Sequence, residues 1–353
     1  MVPGLTKAAI LLAVAATATV LAQSTTAEAS TAAARGDGTL AYASSRFTTL
    51  NPNARARLDA AAVWGGAYTA STGETVTVFL SDTYPQDPAT AQRWVEFFAS
   101  LVHGPEISQL RAYILPLREV QTFCGRQALA CYSPGRGMLV APGESTTVDA
   151  SAEGIVAHEY GHHVAAFRNN APWDAIDYGT KRWATYMQVC ARTETGDFYP
   201  GDESQTNYEL NPGEGFAEAY RAFNERRLGL VESSWGIVSS VFQPDANALA
   251  LLEQDVRQPW TAPTSTVLRG KNSHTYSIAT PLDGSLVLRV AAVGKKTRYR
   301  VELTRGGSAT IRKTTAAGSS IASRANVCGQ RSARIKLTRT AGTGGYTLTL
   351  STP

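Results

Sequence analysis

His158-Glu159-Tyr160-Gly161-His162 stands inside DASAEGIVAHEYGHHVAAF, residues 149–167, and the reading of the whole chain turns on it. Asp149 is placed to cap a helix with Glu153 in its first turn, and Ile155, Val156, Ala157, Ala165 and Ala166 suit helix or core, so the pentapeptide falls in a helix interior. Histidines four apart then share one face, about 6 Å along the axis at ~1.5 Å per residue, where both imidazoles can meet one ion. Glu159, one step round the helix, faces the same side without binding. The H-E-x-x-H spacing therefore predicts two zinc ligands, His158 and His162, with Glu159 as general base on a zinc-bound water. The alternative is a helix with two ordinary histidines and a surface glutamate. It fits poorly a chain whose 5 histidines include three between 158 and 163.

A catalytic zinc needs a third protein ligand and one open position. His163 adjoins the motif but points off its face, and His103 and His274 have no supporting pattern. The better source is NPGEGFAEAYRAF, residues 211–223, where Asn211 can cap a helix, Pro212 takes its first position and Gly229 lies beyond its end near Arg227. Glu214 and Glu218 are four apart on one face of that helix. Asn211 and Glu214 also read as a capping box, which would leave Glu218 as the ligand.

HEYGH followed by Glu214-Gly215-Phe216-Ala217-Glu218, with a further aromatic and Arg221, resembles the gluzincin zinc metallopeptidases. The E-x-x-A-E form is especially similar to the catalytic domain of anthrax lethal factor and its relatives. The resemblance covers the two motif helices and, loosely, residues 74–260. It implies a zincin-like catalytic domain that hydrolyses peptide bonds, with Glu214 as the third zinc ligand and Glu218 orienting a zinc histidine from behind, as metal-bound histidines generally require. It further implies that GMLVA, residues 137–141, is an edge strand to which an extended peptide adds, and that Tyr208 donates to the transition-state oxyanion. The interval from His162 to Glu214 is much longer than in thermolysin-like members, so no cleft carries over for 168–210. The G-x-M-E-N exopeptidase signature is absent, which points to an endopeptidase.

Around the motifs, 43% apolar and 18% charged residues in 353 describe a globular chain of about two domains. Lys7, an uncharged apolar run from Ala8 to Ala22 and the A-x-A site Ala27-Glu28-Ala29 read as a secretory signal peptide over 1–29. Residues 30–38 read as a disordered mature N-terminus. Cys124, Cys131, Cys190 and Cys328 suit export and two disulfides; of three pairings, the short turn favours Cys124 with Cys131, leaving Cys190 with Cys328. Periodicity predicts a helix over 52–64 stopped by Gly65-Gly66, a strand over 74–81, a helix over 88–102, strands at 111–117 and 137–141, and a helix over 245–256. This is an α+β catalytic domain over 39–260. A linker over 261–266 follows, and the short alternating stretches from 267 to 353 predict an all-β sandwich.

Residues 1–263 hold 18 basic against 27 acidic residues, a balance of −9, and residues 264–353 hold 15 against 2, a balance of +13. A basic tail on an acidic body points to an anionic cell-wall or surface polymer as partner, or to attraction between the two parts. The tail resembles, in its GYTLTLSTP ending, the β-sandwich domains appended to secreted bacterial peptidases. Nucleic acid is disfavoured by the lack of interleaved aromatics. The expectation is a secreted zinc endopeptidase with a polypeptide substrate; its rivals are a zinc amidase of cell-wall peptides and a non-catalytic surface-binding protein with a structural zinc.

Overall fold

Alternation of Val76, Val78 and Leu80 with more exposed neighbours makes Thr75–Ser81 a strand (β2) with one face in the core. In the computed structural model, which describes residues 61–145, 150–204, 206–305, 308–329 and 331–353, β2 pairs antiparallel with Val63–Thr69 (β1) and parallel with Arg111–Leu115 (β3). The sheet continues through Met138–Pro142 (β5) to a short antiparallel edge, Cys131–Ser133 (β4), in the order β1-β2-β3-β5-β4.

Trp64, Gly65 and Gly66 belong to a strand and not to a helix end; residues 52–60 of that expected helix, like the signal peptide and the mature N-terminus, lie outside the described residues. Gly65 is needed in the strand, because its φ is +124° and a Cβ there would stand 2.3 Å from the Val78 carbonyl oxygen. GMLVA is interior to the sheet: the helix Leu117–Cys124 (α2) and the disulfide Cys124–Cys131 return the chain so that β4 covers Met138–Val140.

The helices follow their caps. Pro88–Ser100 (α1) starts on Asp87, whose side chain accepts from the Ala89 amide at 3.0 Å, and buries Trp94 and Phe98 on the sheet. Ala152–Ala166 (α3) carries the H-E-x-x-H stretch and is capped by Ser151, which accepts from Gly154 at 2.9 Å; Asp149 is outside the described residues. Both flanks of α3 are buried, so its apolar residues run all round it. Short helices Ala175–Tyr178 (α4), Lys181–Tyr186 (α5) and Val189–Thr195 (α6), with a two-residue ladder Asn169–Asn170 (β6) and Trp173–Asp174 (β7), fill the long interval before Pro212–Leu228 (α7). α7 begins on Asn211, which accepts from Gly213 at 3.0 Å, and stops at left-handed Gly229. Ala246–Arg257 (α8) is capped by Asp245. No helix among the described residues is long and apolar enough to cross a membrane.

The tail folds as two packed four-stranded sheets, all pairings antiparallel. One has the order β13-β10-β15-β8, from Ser320–Val327, Gly284–Ala292, Tyr346–Thr352 and Thr264–Gly270. The other has β12-β11-β14-β9, from Ser308–Thr314, Arg298–Arg305, Arg331–Ala341 and His274–Thr280. Leu286, Leu288 and Val290 of the first face Val301, Leu303 and Ile335 of the second across a shared core. Thr264 already pairs in β8, so the expected linker over 261–266 is shorter by its last three residues.

Both cores lie in one compact unit, and one end of the sandwich rests on α5 and α6. Cys190 is bonded to Cys328, the Asp283 amide donates to Thr185 Oγ1 at 2.9 Å, and the Gly329 amide donates to Asp283. Both disulfides thus have the expected partners.

Candidate metal centre

Gly161 lets α3 and α7 touch. A Cβ on Gly161 would lie 2.9 Å from Ala217 Cα and 3.2 Å from the Ala217 carbonyl oxygen, both backbone atoms. That close crossing sets residues 158 and 162 of one helix against 214 and 218 of the other. His158 Nε2 lies 3.2 Å and His162 Nε2 3.4 Å from Glu214 Oε2, and one donor atom from each residue falls within 4.8 Å of the other two. All three side chains are buried. His162 Nε2 has no hydrogen-bond partner, and neither has Glu159 Oε2 on the same helix. A buried polar atom left in this state costs about 1–3 kcal/mol, and a cation between the three donors relieves it. The group is of a kind that holds a metal ion.

The rest of the arrangement supports these donors. His158 Nδ1 donates to Glu218 Oε2 at 3.0 Å, which fixes the ring so that Nε2 faces Glu214. Glu218 is gripped by Arg221, whose other guanidinium nitrogen bonds Glu225; Glu225 in turn accepts from Ser233 Oγ at 2.7 Å and from the Ser233 amide at 3.1 Å. Gly154 of α3 leaves room for it, since a Cβ would stand 2.6 Å from Glu225 Oε1. Tyr208, in a 3-10 turn just before the α7 cap, donates its hydroxyl to Glu214 Oε2 at 2.8 Å. The capping-box alternative fails for Glu214: the Asn211 amide donates to the Tyr208 carbonyl, and the Glu214 carboxylate is with the histidines.

The electrostatics are those of buried charge. Burial opposes a charged His158 ring, but the carboxylates of Glu214 and Glu218 outweigh it and lift the ring to about 10. Burial raises Glu214 too, and the His162 and His158 rings outweigh that and hold it well below the usual carboxylate range. Glu159 goes the other way, pushed up to about 7 by burial against the weaker pull of the two histidines. His163 stands apart, as expected from its face: its ring meets Tyr132 Oη at 2.9 Å and the Glu106 carbonyl at 2.8 Å, and burial brings it down to about 4. His103 contacts its own loop and Glu74, and the His274 ring lies tilted against Tyr276 in the sandwich, so neither joins the group.

Every residue expected at the site, His158, Glu159, His162, Tyr208, Glu214 and Glu218, is therefore gathered in one buried place. The extension through Arg221 to Glu225 and Ser233 was not expected. Its signal was the spacing of Arg221, three after Glu218 and four before Glu225, at which helical ion pairs form.

No family model matches the chain. No curated protein matches it either. Solved structures share short stretches of its shape. The Yersinia pseudotuberculosis-derived mitogen is 12% identical over 26% of this chain and 87% of its own, with a TM-score of 0.22. The nucleoplasmin-like N-terminal domain of Drosophila FKBP39 is 18% identical over 26% of this chain and 91% of its own, at 0.21. The pre-peptidase C-terminal domain of collagenase from Bacillus anthracis is 15% identical over 24% of this chain and 86% of its own, at 0.19. Scores this low carry no argument about fold or function.

Proposed function

We propose that the chain is an exported zinc-dependent endopeptidase of zincin-like fold, with zinc held by His158, His162 and Glu214. The observation that carries the reading is the meeting of His158 Nε2, His162 Nε2 and Glu214 Oε2 beside the unpartnered, buried Glu159. The separations of 3.2 and 3.4 Å lie close to the donor-to-donor edge of about 3.3–3.4 Å that follows from tetrahedral bonds of about 2.0–2.1 Å. Two imidazoles and one carboxylate are also the donor set of a catalytic, not a closed structural, zinc site. A bound zinc supplies Lewis acidity, lowering the pKa of water on it from about 15.7 toward ~7.

The chain's own groups supply the remainder. Glu159, with burial lifting it to about 7, is poised to take a proton from the attacking water and return it to the leaving amine at neutral pH. Glu218 and Arg221 keep the His158 ring in one orientation. The Tyr208 hydroxyl donates to Glu214 Oε2, and it would have to turn from that carboxylate to serve charge that develops on the scissile carbonyl. Two disulfides are consistent with export to an oxidising compartment.

Glu159→Gln tests the reading. The variant should keep stoichiometric zinc while hydrolysis of a mixed peptide library falls by about 10² to 10⁴. Turnover equal to wild type would reject the proposal.

A further inference from the structure

The charge of the tail has two explanations, attraction to the acidic body or an outside partner, and the ion pairs separate them. Of the two acidic side chains in the sandwich, Asp283 is buried where it meets the body, so Glu302 is the one carboxylate side chain left toward solvent. Among the described residues a single ion pair crosses to the body, Arg305 with Glu194 at 3.5 Å. The positive charge is therefore not taken up internally.

Four of its fifteen cations stand together on the outer face of the β12-β11-β14-β9 sheet. Arg312, Glu302 and Lys336 are side by side on adjacent strands, Arg300 lies two residues along from Glu302, and Arg334 two residues along from Lys336. With strands ~4.8 Å apart and ~6.8 Å per two residues, these cations occupy a patch of about 10 by 14 Å. All four cations are exposed, and Glu302 offsets only Arg312, at 2.8 Å, and Arg300, at 3.9 Å. Exposed hydroxyls flank them, Thr275 opposite Lys336, Ser277 opposite Arg334 and Thr314 opposite Arg300. The sheet's aromatic and large aliphatic side chains, such as Tyr299, Val301 and Ile335, point inward.

We propose that this face docks an acidic polysaccharide, a linear polymer that carries carboxylates among hydroxyls. Charge complementarity names the occupant: guanidinium forks pair carboxylates through two bonds, and threonine and serine hydroxyls bond sugar hydroxyls. A single-stranded nucleic acid would call for a stacking platform, and a bilayer for apolar anchors, and the described residues of the face offer neither. The docking does not depend on the peptidase reading.

The test uses the full chain, because removing the sandwich would unpair Cys190. Binding to immobilised polygalacturonate is measured beside neutral dextran, anionic phosphatidylserine vesicles and duplex DNA. The expected result is retention on polygalacturonate only, lost in 1 M salt. Arg334→Ser with Lys336→Ser should weaken it by about tenfold or more. Arg289→Ser with Arg324→Ser, the same loss of charge on the outer face of the other sheet, should change it less than about twofold. Glu302→Gln should tighten binding, the opposite sign. Equal losses in the two double variants, no tightening by Glu302→Gln, equal retention on dextran, or tighter binding to vesicles or DNA would each overturn the proposal.

Discussion

Arg221 holds both carboxylate oxygens of Glu218, its Nε donating to Oε2 at 2.9 Å and its Nη2 to Oε1 at 2.5 Å. Glu218 has no exposed surface, and its Oε2 also receives His158 Nδ1. Orientation of the His158 ring therefore reaches back through a guanidinium to Glu225. Removing the cation leaves two buried carboxylates facing each other. Arg221→Met should destabilise the fold by about 3–5 kcal/mol, read by denaturant unfolding. Arg221→Lys should recover part of this, since one ammonium cannot span both carboxylates in the same planar geometry.

Glu214 and Glu218 stand four apart on one helix but meet different partners, Glu214 the two histidine Nε2 atoms and Glu218 the His158 Nδ1 and Arg221. Glu214→Ala should abolish stoichiometric zinc, whereas Glu218→Ala should weaken zinc about 10- to 100-fold in a chelator competition. The reverse order would exchange their roles.

Gly161 tests the helix crossing independently of any ligand. Gly161→Ala puts a methyl 2.9 Å from Ala217 Cα, where only backbone can yield. We expect a loss of about 1–3 kcal/mol in unfolding free energy, together with weaker zinc binding as α3 and α7 move apart. An unaltered stability would show that the crossing has slack.

The junction with the sandwich makes a pH prediction. Burial pushes Asp283 up to about 6 and Lys181 down to about 8, against unfolded values near 3.9 and 10.4. Between about pH 4 and 6 the folded chain binds more protons at Asp283, so its contribution to stability falls as pH rises through that window. Between about pH 8 and 10.4 the unfolded chain binds more at Lys181, so that contribution rises with pH. Urea unfolding across both windows should show Asp283→Asn flattening the first change and Lys181→Met the second. Unchanged slopes in both variants would place the titrations elsewhere.

Much of the frame could be read directly because it is written in local chemistry. The Asn211-Pro212 start and Gly229 stop of α7 stand where capping requires, and the histidine pair needed only the helical repeat. What escaped was set by distant neighbours. Gly65-Gly66 looked like a helix stop, yet Gly65 answers to Val78 on the next strand. The edge position of β4 comes from a disulfide that folds the chain back, which no periodicity in GMLVA records. Glu225 meets Ser233 only after the chain turns beyond Gly229, so its place behind the site became visible in three dimensions alone.

The bridge between Cys190 and Cys328 runs past the exposed joint at 258–263 and makes a closed circuit of the chain. A protease that nicks that joint would not set the sandwich free. The two fragments would migrate as one species on a non-reducing gel and separate only after thiol treatment, so in an oxidising medium such damage leaves the sandwich and the α+β body together.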